Sequence, residues 1–409
     1  MNILLISTIY PMPGPVNHGT KVCHFFAQEW MKMGHNVRVV HYQAVYPRPF
    51  YWAAKLMRNF LAAKTGAVIY TERDSKVLQY EMDGVQVTRI PLYKPIPHGK
   101  FSAKAVRRSI EEIIRQNNDV NFTPDVIVGH FVNPQYEVLS ALKEYYKGVK
   151  TALVYHLPAE IQMAKDVYGK RYEHMLQNVD VLGFRNEPLM RDFKKVHDKE
   201  KPSFICYSGI PEHYITESNA HDFEGKLKEF IYVGEMIERK YPAQILDALK
   251  IAYPEGDFHI NYVGAGQQIS IIKDKIREFG LDRQVSVLGR IPRNEIKSKY
   301  DTAQCMIMIS KGEAYGLVYL EAMARGCIII ASRNEGMDGV IKNGVNGFLC
   351  AAGNYEELAS IIKYINSLTK EERLVISNKA IDTAKYLTDA AAAKMYINDV
   401  INMSDYNGK

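Results

Sequence analysis

The sequence predicts an α/β protein of two domains, each a parallel sheet covered by helices on both faces. Three observations support this prediction. Short apolar strands alternate with amphipathic helical stretches. Both halves of the chain open with a strand, a glycine-bearing loop and a helix. The length of 409 residues is too great for a single hydrophobic core. Such sheets bind ligands beyond the carboxyl ends of their strands, so we expect the two domains to face each other across a ligand cleft.

The first half begins with an apolar strand at residues 3–7, a loop rich in proline and glycine, and a helix over 20–33 that Gly34 is placed to end. Further strands are predicted at 36–41, 85–90, 126–129, 151–155 and 179–183. Helical stretches separate most of these strands, which favours parallel pairing.

The second half repeats the theme from residue 230 onward. We predict strands at 230–233, 259–263, 285–288, 305–309 and 327–331, with helices beginning near 242 and spanning 269–279, 293–302 and 317–325. A charged run at 194–201 gives way to Pro202 and a Ser-Gly-Ile-Pro segment, so the boundary falls there. The predicted domains are 1–203 and 204–385, and 386–409 holds a helix that returns to the first domain.

Composition limits the classes of protein. Hydrophobic residues make up 47% and charged residues 24%, typical of a globular chain. The five cysteines are scattered without a C-x-x-C spacing, which predicts buried free thiols rather than a zinc site or a catalytic cysteine. The first residues lack the pattern of a signal peptide, and no run of about 18 apolar residues occurs, so we expect a cytoplasmic protein.

Positive charge is concentrated in the first half. Residues 1–200 hold 27 Lys and Arg against 19 Asp and Glu, whereas the whole chain has a net charge of +6. This excess indicates an anionic partner, such as a phosphorylated acceptor or an acidic membrane surface. Nucleic acid is the other standard interpretation, but no nucleic-acid-binding motif accompanies the charge.

Glu313 and Glu321 lie on either side of a predicted anion site. The strand at 305–309 leads into a glycine-bearing loop and then a helix from Leu317, so loop amides and the helix N-terminus offer hydrogen-bond donors to a diphosphate. A nucleotide sugar places hydroxyl groups on both sides of its diphosphate, and carboxylates accept such bonds strongly. Two glutamates eight apart can also be surface residues, with Tyr315 filling the core, but the strand-loop-helix context favours the site.

The segment from Glu313 to Glu321 resembles the E-x7-E signature of glycosyltransferase family 4, whose members have the GT-B fold. Residues 313–316 are Glu-Ala-Tyr-Gly, and 321–326 are Glu-Ala-Met-Ala-Arg-Gly. Residues 154–156, 207–211, 285–292 and 336–348 are similar to other family segments, the last to members from capsule and teichuronic-acid pathways. The resemblance covers nearly the whole chain, and the E-x7-E region is its most specific part.

The resemblance implies a role for each matching residue. Glu313 would hold the donor sugar, Glu321 the ribose, and the amides of Ala314, Tyr315, Gly316 and Leu317 the phosphates and sugar. Gly19 would lie in the acceptor-side loop, Gly234 in the first loop of the second domain, and Arg290 and Ile291 beside the base. The implied activity is a metal-independent, retaining transfer of a hexose-type sugar, with no cofactor beyond the nucleotide sugar. Family frequency favours a UDP-linked sugar.

Position 235 departs from the family pattern. Family members usually carry an Arg after the glycine of this strand and a Lys a few residues on, whereas this chain has Glu235. We expect Arg239 and Lys240 to reach the diphosphate instead. The alternative is a solvated charged turn at 238–240. Glu235 would repel phosphate unless its side chain turns away or pairs with Arg239.

His156 ends an apolar strand, and we expect it to contact a hydroxyl group of the donor sugar, although a lone histidine is more often structural. His130 ends another strand and is a poorer candidate. Gly264, in Gly-Ala-Gly, is a weak signal for nucleotide binding, since a tight turn explains it equally well.

A basic amphipathic helix at 50–64 suits an anionic membrane surface. Trp52, Leu56, Phe60 and Ala63 share one face, and Lys55, Arg58 and Lys64 lie elsewhere on the turn. Lys100, Lys104, Arg107 and Arg108 add charge on a second helix. The alternative is a helix that packs on its own sheet.

The sequence therefore predicts a glycosyltransferase of cell-surface polysaccharide biosynthesis. Its partners would be a nucleotide-sugar donor, a glycan or lipid-diphosphate-linked glycan acceptor, and the inner face of the cell membrane. A sugar-nucleotide epimerase or a glycan phosphorylase on the same fold is one alternative, although no pyridoxal-phosphate motif is evident. A non-catalytic GT-B partner subunit is the other, and Glu235 is its only support.

Overall fold

The chain forms two compact units. The computed structural model describes residues 1–13, 21–65, 72–96, 99–197, 201–217, 219 and 221–404, with the side chains of 58–65 left out. The N-terminal unit comprises Met1–Arg185, Leu189–Cys206 and Ala393–Lys409, and the C-terminal unit comprises Asn186–Pro188 and Tyr207–Ala392. The chain thus returns to its first unit at the end, as the sequence predicts. Gly19 lies outside the described residues.

The N-terminal unit contains an eight-stranded sheet. Its strands are β1 Asn2–Ser7, β2 Asn36–Val45, β3 Leu78–Met82, β4 Val85–Tyr93, β5 Val126–His130, β6 Lys150–Tyr155, β7 Val181–Phe184 and β8 Ser203–Ile205. Its helices are α1 Val22–Lys32, α2 Arg48–Thr65, α3 Ala103–Asp119, α4 Val132–Tyr145, α5 Ala159–Tyr168, α6 Tyr172–Asn178 and α7 Glu187–Val196. The strand order is β3-β4-β2-β1-β5-β6-β7-β8.

Seven of these strands pair in parallel, and the prediction of a purely parallel sheet is wrong only at one edge. Strand β3 pairs antiparallel with β4. It was not predicted, although its residues, Leu-Gln-Tyr-Glu-Met, alternate between apolar and polar; its side chains are exposed or half-buried. Strand β7 begins at Val181 rather than at the predicted residue 179, because Val179 serves as the C-cap of α6.

The C-terminal unit contains a six-stranded parallel sheet. Its strands are β9 Glu229–Val233, β10 His259–Val263, β11 Val285–Gly289, β12 Cys305–Ile307, β13 Ile328–Ser332 and β14 Phe348–Cys350. Its helices are α8 Pro242–Ala252, α9 Ile269–Phe279, α10 Arg293–Thr302, α11 Leu317–Ala324, α12 Tyr355–Ser367, α13 Lys370–Tyr386 and the first residues of α14 Asp389–Ser404. The order β11-β10-β9-β12-β13-β14 reverses direction between β9 and β12.

Both units have closely packed apolar cores. In the N-terminal unit, Trp30, Tyr136 and Tyr155 are fully buried, and Trp30 donates a hydrogen bond from Nε1 to the Ala393 carbonyl of α14 at 2.9 Å. All five cysteines are buried free thiols, which confirms the prediction made from their spacing. Within the part of the chain that the structure describes, no helix is both long and apolar enough to cross a membrane.

Candidate active site

The strands β9 and β12 are neighbours at the point where the C-terminal sheet reverses its order. In open parallel sheets, the crevice beyond the carboxyl ends of two such strands is the usual place for a ligand. The loops that follow these strands start at Gly234 and at Met308, and they carry most of the residues predicted for the donor. The fold therefore brings Gly234, Lys240 and Glu313 to one edge of one sheet.

Two glycines let the loops at this edge approach each other closely. A Cβ atom on Gly264 would lie 1.9 Å from the Gly234 carbonyl oxygen, and one on Gly266 would lie 2.3 Å from the Met236 carbonyl oxygen. The Met236 amide donates to the Ala265 carbonyl at 2.9 Å. Close packing between two loops thus gives a structural reason for the Gly-Ala-Gly segment, which differs from the tight turn that the sequence offered as an alternative to nucleotide binding.

The loop after β12 presents the start of α11 without a capping side chain. Gly316 occupies the N-cap position with φ of +87°, and no side chain bonds to the first amides of the helix. The Tyr319 ring lies under Gly316, and its hydroxyl donates to the Met308 carbonyl at 2.6 Å. Tyr315 is buried, and Ala314 and Leu317 are half-buried. A helix start that lacks a cap leaves amide donors for an anion.

Glu313 forms an ion pair with Lys240. The Lys240 Nζ atom lies 3.2 Å from Glu313 Oε2, and the two side chains are only 13% and 16% exposed. Glu313 Oε2 has no hydrogen-bond partner of good geometry among the described residues. The Glu313 amide donates to Glu335 Oε2 at 2.9 Å, which fixes the loop. Glu335 was missed at the sequence level, because nothing in the pattern relates it to Glu313.

Arg239 and Lys240 form a short turn, Glu238–Lys240, that contacts the loop after β12. Arg239 NH1 donates to the carbonyls of Lys311 and Gly312 at 3.1 and 3.3 Å, and the Lys311 amide donates back to the Arg239 carbonyl at 2.7 Å. The alternative of a solvated charged turn is therefore wrong for Lys240, which is largely buried. It holds for Glu238 and in part for Arg239, since both are exposed although Arg239 also bonds to the loop.

Glu235 does not pair with the neighbouring Arg239. Its side chain is exposed, and across the described ranges it forms no ion pair with Arg239. Its backbone carbonyl accepts a hydrogen bond from the Tyr232 hydroxyl at 2.7 Å. The structure therefore lacks the pairing by which the sequence allowed Glu235 to avoid repelling a phosphate.

Glu321 is a buried carboxylate inside α11 and is only 4% exposed. Arg293 NH2 donates to its Oε1 at 2.6 Å, and the Tyr300 hydroxyl lies 3.5 Å from its Oε2. Burial raises the pKa of Glu321, and the Arg293 guanidinium opposes that rise. Arg293 and Tyr300 lie on α10 and were not predicted as site residues, because only the packing of α10 against α11 relates them to Glu321.

Arg290 and Ile291 follow β11. Arg290 is exposed and Ile291 is half-buried. Gly289, with φ of +70°, accepts a hydrogen bond at its carbonyl from the Gly264 amide at 2.8 Å. The end of β11 is therefore tied to the glycine segment after β10. The structure shows no hydrogen bond between the Arg290 side chain and another described residue.

His156 and His130 end two neighbouring strands of the N-terminal sheet. His130 Nδ1 lies 3.0 Å from His156 Nε2, and the His156 ring stacks on Phe131 with centroids 3.9 Å apart. Burial lowers the pKa of His130 to about 3 and that of His156 well below its usual value, so both rings are neutral. His130, the poorer candidate from the sequence, is the direct partner of His156.

Glu160 holds the backbone around His156. Its carboxylate accepts hydrogen bonds from the amides of His156, Leu157 and Val132, the last two at 3.0 and 3.2 Å. The first two amides belong to the loop after β6 and the third to the start of α4, which follows β5, so one side chain ties these two segments together. Burial raises the pKa of Glu160 to about 7. A glutamate four residues after a strand-ending histidine was the available signal for this role.

Comparison with known proteins gives the class of protein. Residues 214–383 match the sequence profile of the family described as Glycosyl transferases group 1. The amylovoran biosynthesis glycosyltransferase AmsK of Erwinia amylovora is 22% identical over 384 residues, 87% of this chain and 89% of that protein. An uncharacterized glycosyltransferase of Methanocaldococcus jannaschii is 25% identical over 245 residues, and the chain spans only 66% of its length. That match covers 59% of this chain.

Solved structures agree on the fold. The lipopolysaccharide outer core galactosyltransferase WaaB has a TM-score of 0.68 at 15% identity over 98% of this chain and 99% of its own. Anabaena HepE in complex with UDP has a TM-score of 0.65 at 14% identity over 98% of this chain and 100% of its own. The two units with their parallel sheets define a GT-B protein. The segment 214–383 has the profile of the glycosyltransferases of group 1, and Lys240, Glu313 and Glu321 lie within it.

Proposed function

We propose that this protein is a retaining glycosyltransferase of family 4 type. It would transfer a hexose-type sugar from a UDP-sugar to a glycan or lipid-diphosphate-linked glycan in cell-surface polysaccharide biosynthesis. AmsK is an amylovoran biosynthesis glycosyltransferase and HepE is bound to UDP, and these similarities support the choice of pathway and nucleotide. The observation that carries the proposal is the pair of largely buried carboxylates, Glu313 and Glu321, before and within the uncapped helix α11.

The diphosphate would bind at the start of α11. Amides of residues 314–317 would donate to it, and the helix dipole would favour its charge. Lys240 and Arg239 would supply the positive charge that the leaving nucleotide needs, since both contact the loop that carries Glu313. Side-chain cations in this place would make the transfer independent of a metal, and activity that survives a chelator would support that.

The two glutamates would have separate roles. Glu313 Oε2 lacks a well-aligned hydrogen-bond donor among the described residues, so it offers an acceptor to a sugar hydroxyl. Glu321 is held by Arg293, and its remaining lone pairs would accept from the ribose hydroxyls. Glu313 would position the sugar and stabilise developing charge rather than attack it.

Substitutions test these roles. Glu313→Gln should reduce sugar transfer at least about 100-fold, because a positioned charged acceptor is lost, while UDP affinity changes little. Glu321→Ala should instead weaken UDP binding about 10-fold or more. Glu357→Gln is a matched control, since Glu357 also pairs with an arginine, Arg333, at 2.6 Å in the same unit. Full activity in both site variants would overturn the proposal.

Product analysis separates the alternatives. Release of UDP without a glycosylated product would indicate hydrolysis, and a changed sugar nucleotide would indicate an epimerase. A protein that binds no nucleotide in calorimetry would be a non-catalytic partner subunit. Retention is tested by the anomeric configuration of the product, read by NMR.

We also propose that α2 contacts an anionic membrane surface. Trp52 and Leu56, one turn apart, are 71% and 69% exposed, whereas Tyr51 and Ala54 on the other side are buried. The helix thus packs on its own unit with one face and leaves a second apolar face open. The sequence also predicts contributions from four residues whose side chains the structure does not describe, namely Arg58, Phe60, Ala63 and Lys64.

Exposed cations accompany this face. Lys55 on α2 is exposed, as are four residues at and before the start of α3, namely Lys100, Lys104, Arg107 and Arg108. Flotation with vesicles containing anionic lipid should show binding at low salt that Trp52→Ser with Leu56→Ser abolishes. Tyr386→Ser is the control, because Tyr386 is 77% exposed in the other unit. Equal flotation of the double variant, or no binding at low salt, would exclude this contact.

A further inference from the structure

Three buried side chains form a hydrogen-bonded chain in the N-terminal unit. His156 Nε2 lies 3.0 Å from His130 Nδ1, and His130 Nε2 lies 3.2 Å from the hydroxyl of Tyr396 on α14. Tyr396 and His130 are at most 1% exposed, and His156 is 7% exposed. The chain therefore begins deep in the core and ends at the least buried of the three groups.

The tyrosine hydroxyl sets the direction of this chain. Burial raises the pKa of Tyr396 far above its usual value, so the phenol keeps its proton. Within the described part of the chain, His130 Nε2 is the one acceptor at hydrogen-bond distance from that hydroxyl. A buried hydroxyl hydrogen needs an acceptor, so Tyr396 donates and His130 Nε2 accepts.

The remaining proton positions follow from neutrality. A neutral imidazole carries one proton, so His130 with an accepting Nε2 must be protonated at Nδ1. That N–H donates to His156 Nε2, which makes His156 Nε2 an acceptor and places its own proton on Nδ1. The reverse direction would leave the Tyr396 hydrogen buried without an acceptor.

Two further contacts hold the His156 ring in one orientation. The ring stacks on Phe131 at an interplanar angle of 18°, and the carboxylate of Glu160 fixes the His156 amide. Phe131 has a φ of +68°, an unusual conformation for a residue with a side chain, so the loop is held in place by its surroundings. Among the residues described, His156 Nδ1 has no hydrogen-bond partner.

We propose that Tyr396 and His130 fix His156 as a hydrogen-bond donor through Nδ1–H, aimed at an oxygen atom of a ligand. Tyr396 and His130 are then positioning residues, and His156 is the residue that contacts the ligand. The identity of that oxygen as a sugar hydroxyl rests on the proposed function, whereas the tautomer does not. A histidine fixed as a donor selects a ligand that offers a lone pair and disfavours one with a hydrogen or a methyl group there.

Nitrogen NMR of the protein labelled with ¹⁵N-histidine tests the tautomer directly. His156 and His130 should each show a protonated, pyrrole-type Nδ1 and a bare, pyridine-type Nε2 from pH 6 to 8, with assignment by His156→Gln. A His156 ring protonated at Nε2 would overturn the proposal. This measurement needs no substrate, so it stands even if the protein transfers no sugar.

Removal of one hydroxyl tests the role of Tyr396. In Tyr396→Phe, the fixed His156 tautomer should be lost, and kcat/KM for sugar transfer should fall about 5- to 10-fold, the worth of one hydrogen bond. The Kd for UDP alone, which lacks the transferred sugar, should stay unchanged. Tyr172→Phe is the matched control, because it removes another buried tyrosine hydroxyl 3.0 Å from His197 Nε2.

The outcomes separate this inference from the proposed function. An unchanged His156 spectrum in Tyr396→Phe, or an equal loss of activity in Tyr172→Phe, would refute the role of Tyr396. Absence of sugar transfer by the unmodified protein, together with the expected spectrum, would refute the proposed function and leave the tautomer standing.

Discussion

The ion pair between Lys240 and Glu313 gives a prediction that can be tested without substrate. Lys240→Met leaves a largely buried carboxylate without its cation, and Glu313→Gln leaves an ammonium group without its anion. The double variant leaves neither charge. A cycle of these three variants therefore isolates the interaction between the two side chains.

The structure sets the size of that interaction. At the observed 3.2 Å, two unit charges attract by about 5 kcal/mol at an effective dielectric constant near 20. Because 13% and 16% of the side chains remain exposed, water screens part of this attraction. We expect each single variant to lose about 2 kcal/mol of stability, and a coupling energy of about 2–3 kcal/mol.

Urea denaturation of the full chain measures these differences. Far-UV circular dichroism is the appropriate probe, because both tryptophans, Trp30 and Trp52, lie in the N-terminal unit and would not report on this pair. The double variant should lose less stability than the sum of the two single losses, so its free energy of unfolding should be higher than additivity predicts. Additive losses would mean that the two groups do not interact, and the reasoning about the buried pair would fail.

Three further predictions concern stability. Gly264→Ala should lower the free energy of unfolding in urea by more than about 3 kcal/mol, because its Cβ would lie 1.9 Å from the Gly234 carbonyl oxygen. The control Gly280→Ala has free space around its Cβ and should lose only about 1 kcal/mol. Equal losses in the two variants would contradict this prediction. Thr369→Ala removes one half of the capping box of α13 and should cost about 1 kcal/mol in the same assay, so an unchanged midpoint would contradict it. Burial raises the pKa of Glu160 from 4.5 to about 7, so the folded state keeps a proton that the unfolded chain releases. The stability that the protonated Glu160 contributes is fully present below pH 4.5 and is lost as the pH rises through 7. The free energy of unfolding falls by about 3 kcal/mol in all over this range. Urea midpoints at pH 5 and 8 by tryptophan fluorescence should show this fall, and Glu160→Gln should remove it.

Residues that start and end helices made much of the C-terminal fold predictable. The bounds of β10, α9 and α10 agree with the predicted ranges 259–263, 269–279 and 293–302. Gly280 ends α9 in the left-handed conformation, and Pro292 precedes α10. Strand β12 ends at Ile307 rather than at residue 309, because its pairing with β13 stops at the pair Ile307 and Ile330.

In the C-terminal unit, two helices, α12 and α13, and one strand, β14, were not predicted at all. The helix α13 buries Arg373 and Ser377 beside apolar residues, which obscures the period of a helix. The signal that was available lies at its start, where Thr369 and Glu372 form a capping box. Helix α12 likewise begins with a capping Asn354, whose side chain accepts from the Glu357 amide.

The sequence selected the candidate residues, and packing determined their partners. Glu313, Glu321 and Lys240 could be selected from motif and loop position. The partners of Glu321, Arg293 and Tyr300, stand 28 and 21 positions earlier in the chain, and only the contact between two helices brings them together. Such pairings arise in three dimensions, and no local pattern carries them.

The helix α14 has a consequence for how the chain is made. Tyr396, Ile397 and Val400 are at most 2% exposed and belong to the N-terminal unit, although the whole C-terminal unit precedes them in the chain. During synthesis, residues 1–206 leave the ribosome with a gap in their core that nothing yet translated can fill. The first unit to emerge is thus the last to be completed, and until α14 arrives its open apolar surface needs protection from aggregation.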